Sequence, residues 1–523
     1  MESLFSRSPP ARRMEVPSAA KRVAERGPRA SALVGNFETG VDERLLEIYN
    51  RARNPEDPFE LRDLWLGRVE YELGRHSQRA WLREAWVSAI RRRSIDSDEV
   101  LGSRSTVRFI KELFNWYFRD DLYGVLRGQA VRILSSGAVD ETSWGLATTL
   151  KQCMTYALER DWYGYSDSRG RMPCREAVAA YENVRIGGVE YGPENVALTM
   201  GATMAISSIA DFVLRDRSLG DSPPALCAIP NYPPLVQAIA NRSHVQLVPL
   251  PTLSGVTSLE PLIAALRPDT PMVFLQTVGN PTGASVREDD LTALIRVIAS
   301  GTTLVLDECH EWLGPDAGAS QIRASPNVVR VSSLSKTWSA PGLKIGWILA
   351  DERFVSDYYE YASTSYGGPP SFYYTLVEVF ARMERWLIDG VDELDEAHRL
   401  EFEPSYGIAL PELQRAYADY RRERSERNVG LRTMRTAAAN LFSDLPVRVL
   451  PPQYSVNMAV DFQGYDDSYL CFRQVLRASG VSLLPGVLTY CLSGAIMRVT
   501  PAQSWPSLAN AIQRIADTWP KSL

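Results

Sequence analysis

The chain reads Ser333-Leu334-Ser335-Lys336 and, five residues after this lysine, Pro341-Gly342-Leu343-Lys344-Ile345-Gly346. The first run follows an apolar stretch, Val328 to Val331, that is typical of a buried strand. Lysine side chains are usually solvated, so a lysine in a turn of small residues at a strand end needs chemical partners to explain it. With such partners, its amine is suited to hold an aldehyde cofactor through a Schiff base.

Short apolar runs alternate with helical stretches from about residue 123 onward. This alternation predicts an α/β fold with a mainly parallel sheet, in which ligands bind where the strands end. The predicted strands are Val196 to Met200, Ala225 to Ile229, Val245 to Val248, Met272 to Leu275, Thr303 to Leu306, Val328 to Val331 and Ile345 to Leu349.

The rest of the chain differs from this α/β region in its pattern of apolar residues. Helical spacing of apolar residues predicts a helical N-terminal extension, and shorter strands with two helices predict an α+β domain at the C-terminus. The predicted parts are a disordered lead (1–40), the helical extension (41–120), a segment contributing to the small domain (121–160), the large domain (161–385), a charged, solvated helical insertion (386–428) and the small C-terminal domain (429–523).

Composition excludes several classes of protein. Of 523 residues, 45% are hydrophobic and 23% charged, and the net charge of −6 argues against nucleic acid or an anionic membrane as a partner. Six cysteines lack zinc-ligand spacing, which predicts reduced thiols in a cytoplasmic protein and no metal site. We find no secretory signal and no apolar run that approaches a membrane span.

Three successive predicted strand ends carry polar side chains. Asn280, in Gly279-Asn280-Pro281-Thr282-Gly283, Asp307 and Lys336 each follow an apolar run. Together they suit a pyridine aldehyde: Lys336 bonds the aldehyde carbon, Asp307 keeps the ring nitrogen protonated, and Asn280 hydrogen-bonds the ring oxygen. Packing alone does not explain this combination.

With these residues, the chain from about 120 to 523 resembles the fold type I, aspartate-aminotransferase-like superfamily of pyridoxal-phosphate enzymes. The resemblance implies a three-layer sandwich with a mainly parallel sheet and a smaller α+β domain. It also implies a phosphate cradle at a helix N-terminus, matched by Gly201-Ala202-Thr203, with hydroxyl contacts from Ser333 and Ser335.

The same resemblance implies further site residues. Tyr232 matches the aromatic that stacks on the pyridine ring and is counted with Lys336 and Asp307 as catalytic. Tyr165 matches a tyrosine that reaches the phosphate of a neighbouring subunit, which implies a homodimer with shared active sites. Gly137 matches a substrate-facing glycine, and Arg498 matches the arginine that binds the substrate α-carboxylate, with Asn280 also facing the substrate.

Three features depart from the common pattern of that superfamily. His310 stands where most members have a tyrosine, and its imidazole changes charge near neutral pH. Lys344 stands where most members have a phosphate-binding arginine, so it supplies charge without a planar fork. The N-terminal extension has no counterpart in the compact members.

The resemblance implies an enzyme that acts at the α-carbon of an amino acid, most simply an aminotransferase. One stretch, Pro58-Phe59-Glu60-Leu61-Arg62-Asp63, is similar to the aspartate β-decarboxylase branch. The sequence around Lys336 looks like that of the branch that catalyses elimination from S-adenosylmethionine. Elimination or substitution on that substrate, and amino-acid β-decarboxylation, therefore stay open. A remote alternative is a transcription regulator, since residues 102–108 have some helix-turn-helix character.

Overall fold

The computed structural model describes residues 3–7, 9–215, 222–315, 319–366 and 368–519. The chain divides into two compact units, each built from three separate segments. The first unit comprises Met1–Val16, Asp140–Phe212 and Thr303–Arg432, and the second comprises Pro17–Val139, Val213–Thr302 and Thr433–Leu523.

Four strands form the sheet portion of the first unit. Thr303–Asp307 pairs in parallel with Val328–Ser333, while Gly346–Leu349 runs antiparallel to both Val328–Ser333 and Val196–Thr199. Nearly all residues of these strands are buried, as expected where helices cover both faces of a sheet.

Helices surround these strands and form one large apolar cluster with them. Trp338, Trp347 and Trp386 are among its fully buried side chains. The α-helices are Glu141–Trp144, Thr148–Glu159, Met172–Ile186, Gly201–Leu214, Leu334–Thr337, Glu352–Ser363, Tyr374–Ile388, Glu396–Leu400 and Leu410–Phe442. Gly201–Leu214 and Leu410–Phe442 continue into the second unit.

The second unit contains three parallel strands and a separate antiparallel sheet. Ala225–Ile229 lies between Val245–Pro249 and Met272–Gln276, and it is parallel to both. The antiparallel sheet has the order Val447–Leu450, Met458–Phe462, Ile496–Val499, Leu484–Pro485. Two-residue strands also pair, Arg132–Ile133 with Val481–Ser482 and Thr252–Leu253 with Val256–Thr257.

The N-terminal extension is helical and tightly packed within the second unit. Gly67 allows close helix packing, because a Cβ there would collide with the carbonyl oxygen of Leu82. A π-helical segment, Tyr117–Val125, follows the helix Arg104–Trp116. The other α-helices of this unit are Ser18–Arg26, Glu43–Arg51, Pro58–Glu72, Ala80–Ser88, Ser97–Gly102, Pro233–Ala240, Glu260–Ala264, Glu288–Val297, Ser468–Ser479 and Trp505–Thr518.

Buried ion pairs join the extension to the small domain. Asp121 accepts hydrogen bonds from Arg79 and from the Tyr469 hydroxyl, the latter at 2.8 Å, and Arg473 donates to Glu70 at 2.9 Å. All five side chains are buried. Any arrangement that separates these partners would leave a buried charge uncompensated, which is costly. The ion pairs therefore hold the extension in one position.

The predicted α/β class, with mainly parallel strands and a smaller α+β domain, is confirmed. Each predicted strand is present within three residues of its expected bounds. In contrast to the disordered lead predicted for residues 1–40, residues 18–26 are helical and Leu4 and Phe5 are buried in the core of the first unit. The predicted domain boundaries stay a prediction.

The segment predicted as a charged, solvated insertion is also more buried than expected. Glu423 and Arg427 are at most 1% exposed, because the helix Leu410–Phe442 turns one face to the core of the first unit. Within the described residues, no helix is both long enough and apolar enough to cross a membrane.

Candidate active site

Lys336 lies in a short helix that directly follows an interior strand. Strand Val328–Ser333 ends at Ser333, whose hydroxyl accepts a hydrogen bond from the backbone NH of Ser335 at 3.4 Å and caps the helix Leu334–Thr337. The Lys336 side chain is half-buried. The predicted position of the lysine at a strand end is confirmed, whereas its bond to a cofactor stays a prediction.

Asp307 ends the neighbouring parallel strand and lies close to a buried thiol. Its Oδ1 accepts a hydrogen bond from the backbone NH of Cys309 at 3.1 Å, and the Ser333 hydroxyl donates to the Cys309 Sγ at 3.3 Å. Burial raises the pKa of Cys309 well above its usual value, the Asp307 carboxylate raises it further, and the Lys336 ammonium lowers it. The charges of Asp307 and Lys336 therefore both lie near the Cys309 thiol.

The predicted phosphate cradle lies where a helix begins. Helix Gly201–Leu214 starts immediately after strand Val196–Thr199. Gly201 has a φ of +79°, and a Cβ on Gly346 would come within 3.0 Å of its Cα, so glycine is required for this close approach.

A helix N-terminus and one lysine lie at this cradle. Ala202 is half-buried and Thr203 is exposed in the first helical turn, where unpaired backbone NH groups favour an anion. Lys344 is exposed, adopts the left-handed conformation, and has its backbone next to Gly201. The turn and the lysine together are suited to a phosphate.

Two other predicted residues of the first unit have different environments. His310 is 6% exposed in the turn after Cys309, and its carbonyl accepts from the Trp312 NH at 2.9 Å. Tyr165 is fully exposed on its loop. A contact between Tyr165 and a neighbouring subunit stays a prediction.

Arg498 is the centre of a second group of predicted residues, in the second unit. It lies on strand Ile496–Val499, donates to the Ser135 carbonyl at 2.8 Å and to Asn280 Oδ1 at 3.2 Å, and is 6% exposed. Its Nε is buried without a hydrogen-bond partner among the described residues. Burial lowers its pKa to about 10, so at neutral pH it remains a cation whose hydrogen bonds go to neutral oxygens.

Gly137 lies against the Arg498 guanidinium. Its φ is +66°, and a Cβ there would lie 2.7 Å from one terminal nitrogen of Arg498. Its backbone NH donates to Thr500 Oγ1 at 3.0 Å. The structure thus brings together Gly137, Asn280 and Arg498, all three predicted substrate residues.

Tyr232 belongs to the same unit and caps the helix Pro233–Ala240. Its backbone NH bonds to Asn231 Oδ1 at 2.7 Å, and its ring meets the Phe114 ring edge to face at 5.7 Å. Burial raises the pKa of Tyr232, so the phenol is neutral at physiological pH. Phe114 belongs to the N-terminal extension, a contact that the sequence pattern did not predict.

Arg427 is a further residue that sequence reasoning missed. It donates to the carbonyl oxygens of Trp144 and Thr337, at 2.8 and 2.6 Å, and to Ser339 Oγ at 2.6 Å. Its guanidinium also lies over the rings of Trp312 and Trp338, at 5.0 and 4.9 Å. Arg427 therefore links the segment after His310 with the segment after Lys336.

A buried ion cluster lies behind Asp307. Burial alone would raise the pKa of Glu308, but the arginines Arg330, Arg185 and Arg323 hold it well below its usual range. The cluster consists of Glu182, Arg185, Glu308, Glu311, Arg323 and Arg330. Three positive and three negative groups balance, so the cluster fixes the peptide after Asp307 without adding net charge.

Comparison with known proteins shows similarity to aminotransferases. The family model for aminotransferase class I and II matches residues 134–394. Histidinol-phosphate aminotransferase of Ruegeria pomeroyi is 32% identical over 23% of this chain and 34% of its own length. A Pseudomonas syringae pv. syringae L-aspartate:5-guanidino-3-methyl-2-oxopentanoate transaminase is 26% identical over 38% of this chain and 52% of its own. The chain thus spans about half or less of these relatives.

Solved structures show the same fold over more of the chain. A double mutant of Thermus thermophilus aspartate aminotransferase is similar over 82% of this chain and all of its own, with a TM-score of 0.61 and 19% identity. N-succinyldiaminopimelate aminotransferase of Mycobacterium tuberculosis covers 77% of this chain and 99% of its own, with a TM-score of 0.60 and 21% identity.

The chain belongs to the fold type I, aspartate-aminotransferase-like superfamily, whose class I and II aminotransferases depend on pyridoxal phosphate. The residues fit that cofactor and its amino-acid substrates. A glycine-dependent helix start beside Lys344 fits a phosphate, and the orphaned Nε of the buried Arg498 fits a carboxylate.

Proposed function

We propose that the protein is a pyridoxal-phosphate-dependent aminotransferase that acts at the α-carbon of an amino acid. The observation that carries the proposal is the buried Arg498, whose contacts are a carbonyl and an amide oxygen and whose Nε has no partner among the described residues. A buried cation with unused hydrogen-bonding capacity is stabilised by a carboxylate, which every α-amino acid supplies.

The residues of the first unit serve the cofactor in this proposal. Pyridoxal phosphate supplies an aldehyde carbon and a ring that accepts electrons when bound. Lys336 Nζ would hold that carbon, and its free amine would be the base for the proton on the substrate α-carbon. Asp307 keeps the ring nitrogen protonated, and its burial beside Cys309 supports this role because little water competes. The phosphate is bound by residues 201–203, Ser333, Ser335 and Lys344.

The residues of the second unit orient the ring and the substrate. Tyr232 stacks on the ring, and Asn280 bonds the ring oxygen and faces the substrate. Arg498 binds the α-carboxylate, and Gly137 leaves room for the Arg498 guanidinium, because a Cβ there would lie 2.7 Å from one of its terminal nitrogens. His310 contacts the cofactor in place of the usual tyrosine.

The assembly proposed is a homodimer in the cytoplasm. The full exposure of Tyr165 supports a contact with a second subunit. Six free, buried cysteines support a reducing compartment.

An amino-acid panel with 2-oxoglutarate as acceptor tests the proposal. We expect formation of 2-oxo acids from at least one L-amino acid, and loss of that reaction in Lys336→Ala. Carbon dioxide from L-aspartate, or methylthioadenosine from S-adenosylmethionine, without any oxo acid would contradict it in favour of decarboxylation or elimination.

The regulator alternative receives no support from the extension. Ser103 caps the helix Arg104–Trp116, and Arg104 donates to the Ala240 carbonyl at 2.8 Å, so the start of this helix is packed within the second unit. A DNA-shift assay with genomic fragments is expected to show no binding; a specific shift would revive that alternative.

A further inference from the structure

The N-terminal extension forms an aromatic surface beside Tyr232. Helix Arg104–Trp116 packs along the helix Pro233–Ala240, held at one end by the bond from Arg104 to Ala240 and at the other by the contact of Phe114 with Tyr232. The ring of Phe118 lies 4.9 Å from that of Phe114. Residues of the extension therefore continue the aromatic surface that begins at Tyr232.

A chain of contacts also joins this surface to Arg498. Tyr117 is fully buried, lies 4.9 Å from the Phe118 ring, and hydrogen-bonds Ser482 Oγ at 2.9 Å. Ser482 bonds Ser135 Oγ at 3.2 Å, and the Ser135 carbonyl accepts from Arg498 at 2.8 Å. The carboxylate-binding group and the aromatic surface are thus fixed relative to each other.

The segment that carries the second aromatic residue is held firmly. Phe118 lies in the π-helical segment Tyr117–Val125, a local irregularity that often occurs at functional sites. Asp121 of the same segment is buried with Arg79 and Tyr469. Phe114 and Phe118 nevertheless remain only half-buried. A well-supported but incompletely covered aromatic surface, joined by these contacts to the cation that we propose binds the carboxylate, is typical of a ligand site.

We propose that Phe114 and Phe118 form the wall that contacts the substrate side chain, and that the substrate carries an aromatic or large apolar side chain. This inference rests on the proposed carboxylate role of Arg498. A charged group close to this wall is Lys111, whose ammonium lies 5.6 Å from the centroid of the Phe114 ring and donates a hydrogen bond to Asn115. An acidic side chain paired with Lys111 is the competing possibility.

Equilibrium binding of simple carboxylates to the cofactor-loaded protein tests the inference without requiring turnover. The probes are 3-phenylpropionate, propionate and succinate, measured by calorimetry. We expect 3-phenylpropionate to bind about tenfold more tightly than propionate, since apolar contacts of this size give discrimination of that order. Phe114→Ala and Phe118→Ala are expected to remove most of the preference.

Tyr71→Ala is the matched control, because Tyr71 is a half-exposed aromatic residue elsewhere on the extension. It is expected to keep the wild-type preference. All three probes are compared on the same preparation, so partial misfolding of a variant does not change the ratio of the two monocarboxylate affinities. Phe114→Leu provides a milder replacement. Equal binding of the two monocarboxylates, tighter binding of succinate, or an unchanged ratio in both alanine variants would overturn the inference.

Different results would contradict the proposed function and this inference. If no amino acid yields an oxo acid while 3-phenylpropionate still binds preferentially, then transamination is wrong and the aromatic wall stands. If oxo acids form but the preference is absent, then the wall is wrong and the aminotransferase stands.

Discussion

Arg498 carries a charge that neither of its hydrogen-bond acceptors neutralises. Ser135 and Asn280 supply neutral oxygens, and Nε is left without a partner among the described residues. Replacing it by lysine keeps the charge but loses the planar pair of donors. We expect Arg498→Lys to reduce kcat/KM for amino-acid substrates about a hundredfold, mainly through KM, as measured by steady-state kinetics.

The control for that substitution lies on the same sheet. Arg448 is exposed and pairs with Asp461, so Arg448→Lys is expected to leave kcat/KM within about twofold of wild type. Equal kinetic losses in the two variants, or none in Arg498→Lys, would contradict the carboxylate role.

Arg427 contacts the segment that follows Lys336, and we infer that it positions that segment. Its hydrogen bonds go to two carbonyls and a hydroxyl, and burial lowers its pKa to about 9, with Arg424 adding to the shift. We expect Arg427→Met to weaken binding of pyridoxal phosphate about tenfold, because the carbonyls of Trp144 and Thr337 lose this donor. The free energy of unfolding is expected to fall by about 1–3 kcal/mol, the usual cost of leaving buried acceptors unpaired. Cofactor titration and urea unfolding measure the two effects.

Arg421→Met is the matched control on the same helix. Arg421 pairs with Asp392 at the surface, so its loss is expected to leave cofactor affinity unchanged. Cofactor affinity within about twofold of wild type in Arg427→Met would contradict a positioning role for Arg427.

The sequence predicted Lys336 and Asp307 at strand ends but not Arg427. The first two follow apolar runs, so their positions depend on neighbours in sequence. Arg427 meets Trp144, Thr337 and Ser339 only because distant segments fold together, and nothing in its own stretch separates it from the surrounding arginines. The chemical roles of Lys336 and Asp307 are implied by the resemblance to the superfamily.

At the scale of elements, the ion cluster behind Asp307 predicts acid sensitivity. The pKa values of Glu308 and Glu182 lie below the usual 4.5 in the folded protein. The unfolded state therefore binds more protons below that pH, and the stability these groups contribute is present above pH 4.5 and lost as pH falls through the folded values. Urea unfolding across this range is expected to show the loss.

Glu308→Gln tests which group carries that dependence. Because it leaves Arg330 with one fewer buried carboxylate, we expect the free energy of unfolding at neutral pH to fall by about 3–5 kcal/mol and the dependence on acid pH to become shallower. The exposed Glu393→Gln is expected to match wild type. An unchanged pH dependence in Glu308→Gln would remove the cluster as its source.

The strands were easier to predict from the sequence than the burial of Leu4 and Phe5. Runs such as Ala225–Ile229 are apolar throughout, so they are recognisable from local sequence. Leu4 and Phe5 stand among polar neighbours, and their burial depends on an apolar cluster formed by residues more than a hundred positions away. Composition alone therefore predicted disorder there. Likewise, nothing local indicated that Phe114 meets Tyr232.

At the scale of the whole molecule, a shared active site predicts complementation between inactive subunits. In a hybrid dimer of Tyr165→Ala and Lys336→Ala, one site receives both native residues. Random mixing makes half of the dimers hybrids with one intact site of two, so we expect recovery of about a quarter of wild-type activity. The measurement is activity after co-refolding or co-expression of the two variants.

Mixing two preparations of a single variant is the control and is expected to restore nothing. If the co-assembled pair showed only the sum of the separate activities, then Tyr165 would act within its own subunit or not at the site.

The central claim is that Lys336 bonds the aldehyde carbon of pyridoxal phosphate, and borohydride reduction followed by peptide mass spectrometry tests it most directly. Reduction of the cofactor-loaded protein makes that bond permanent. We expect the pyridoxyl group on the peptide that contains Lys336, and its loss in Lys336→Ala. An adduct on another lysine such as Lys344, or no adduct on a protein loaded with the cofactor, would contradict the account.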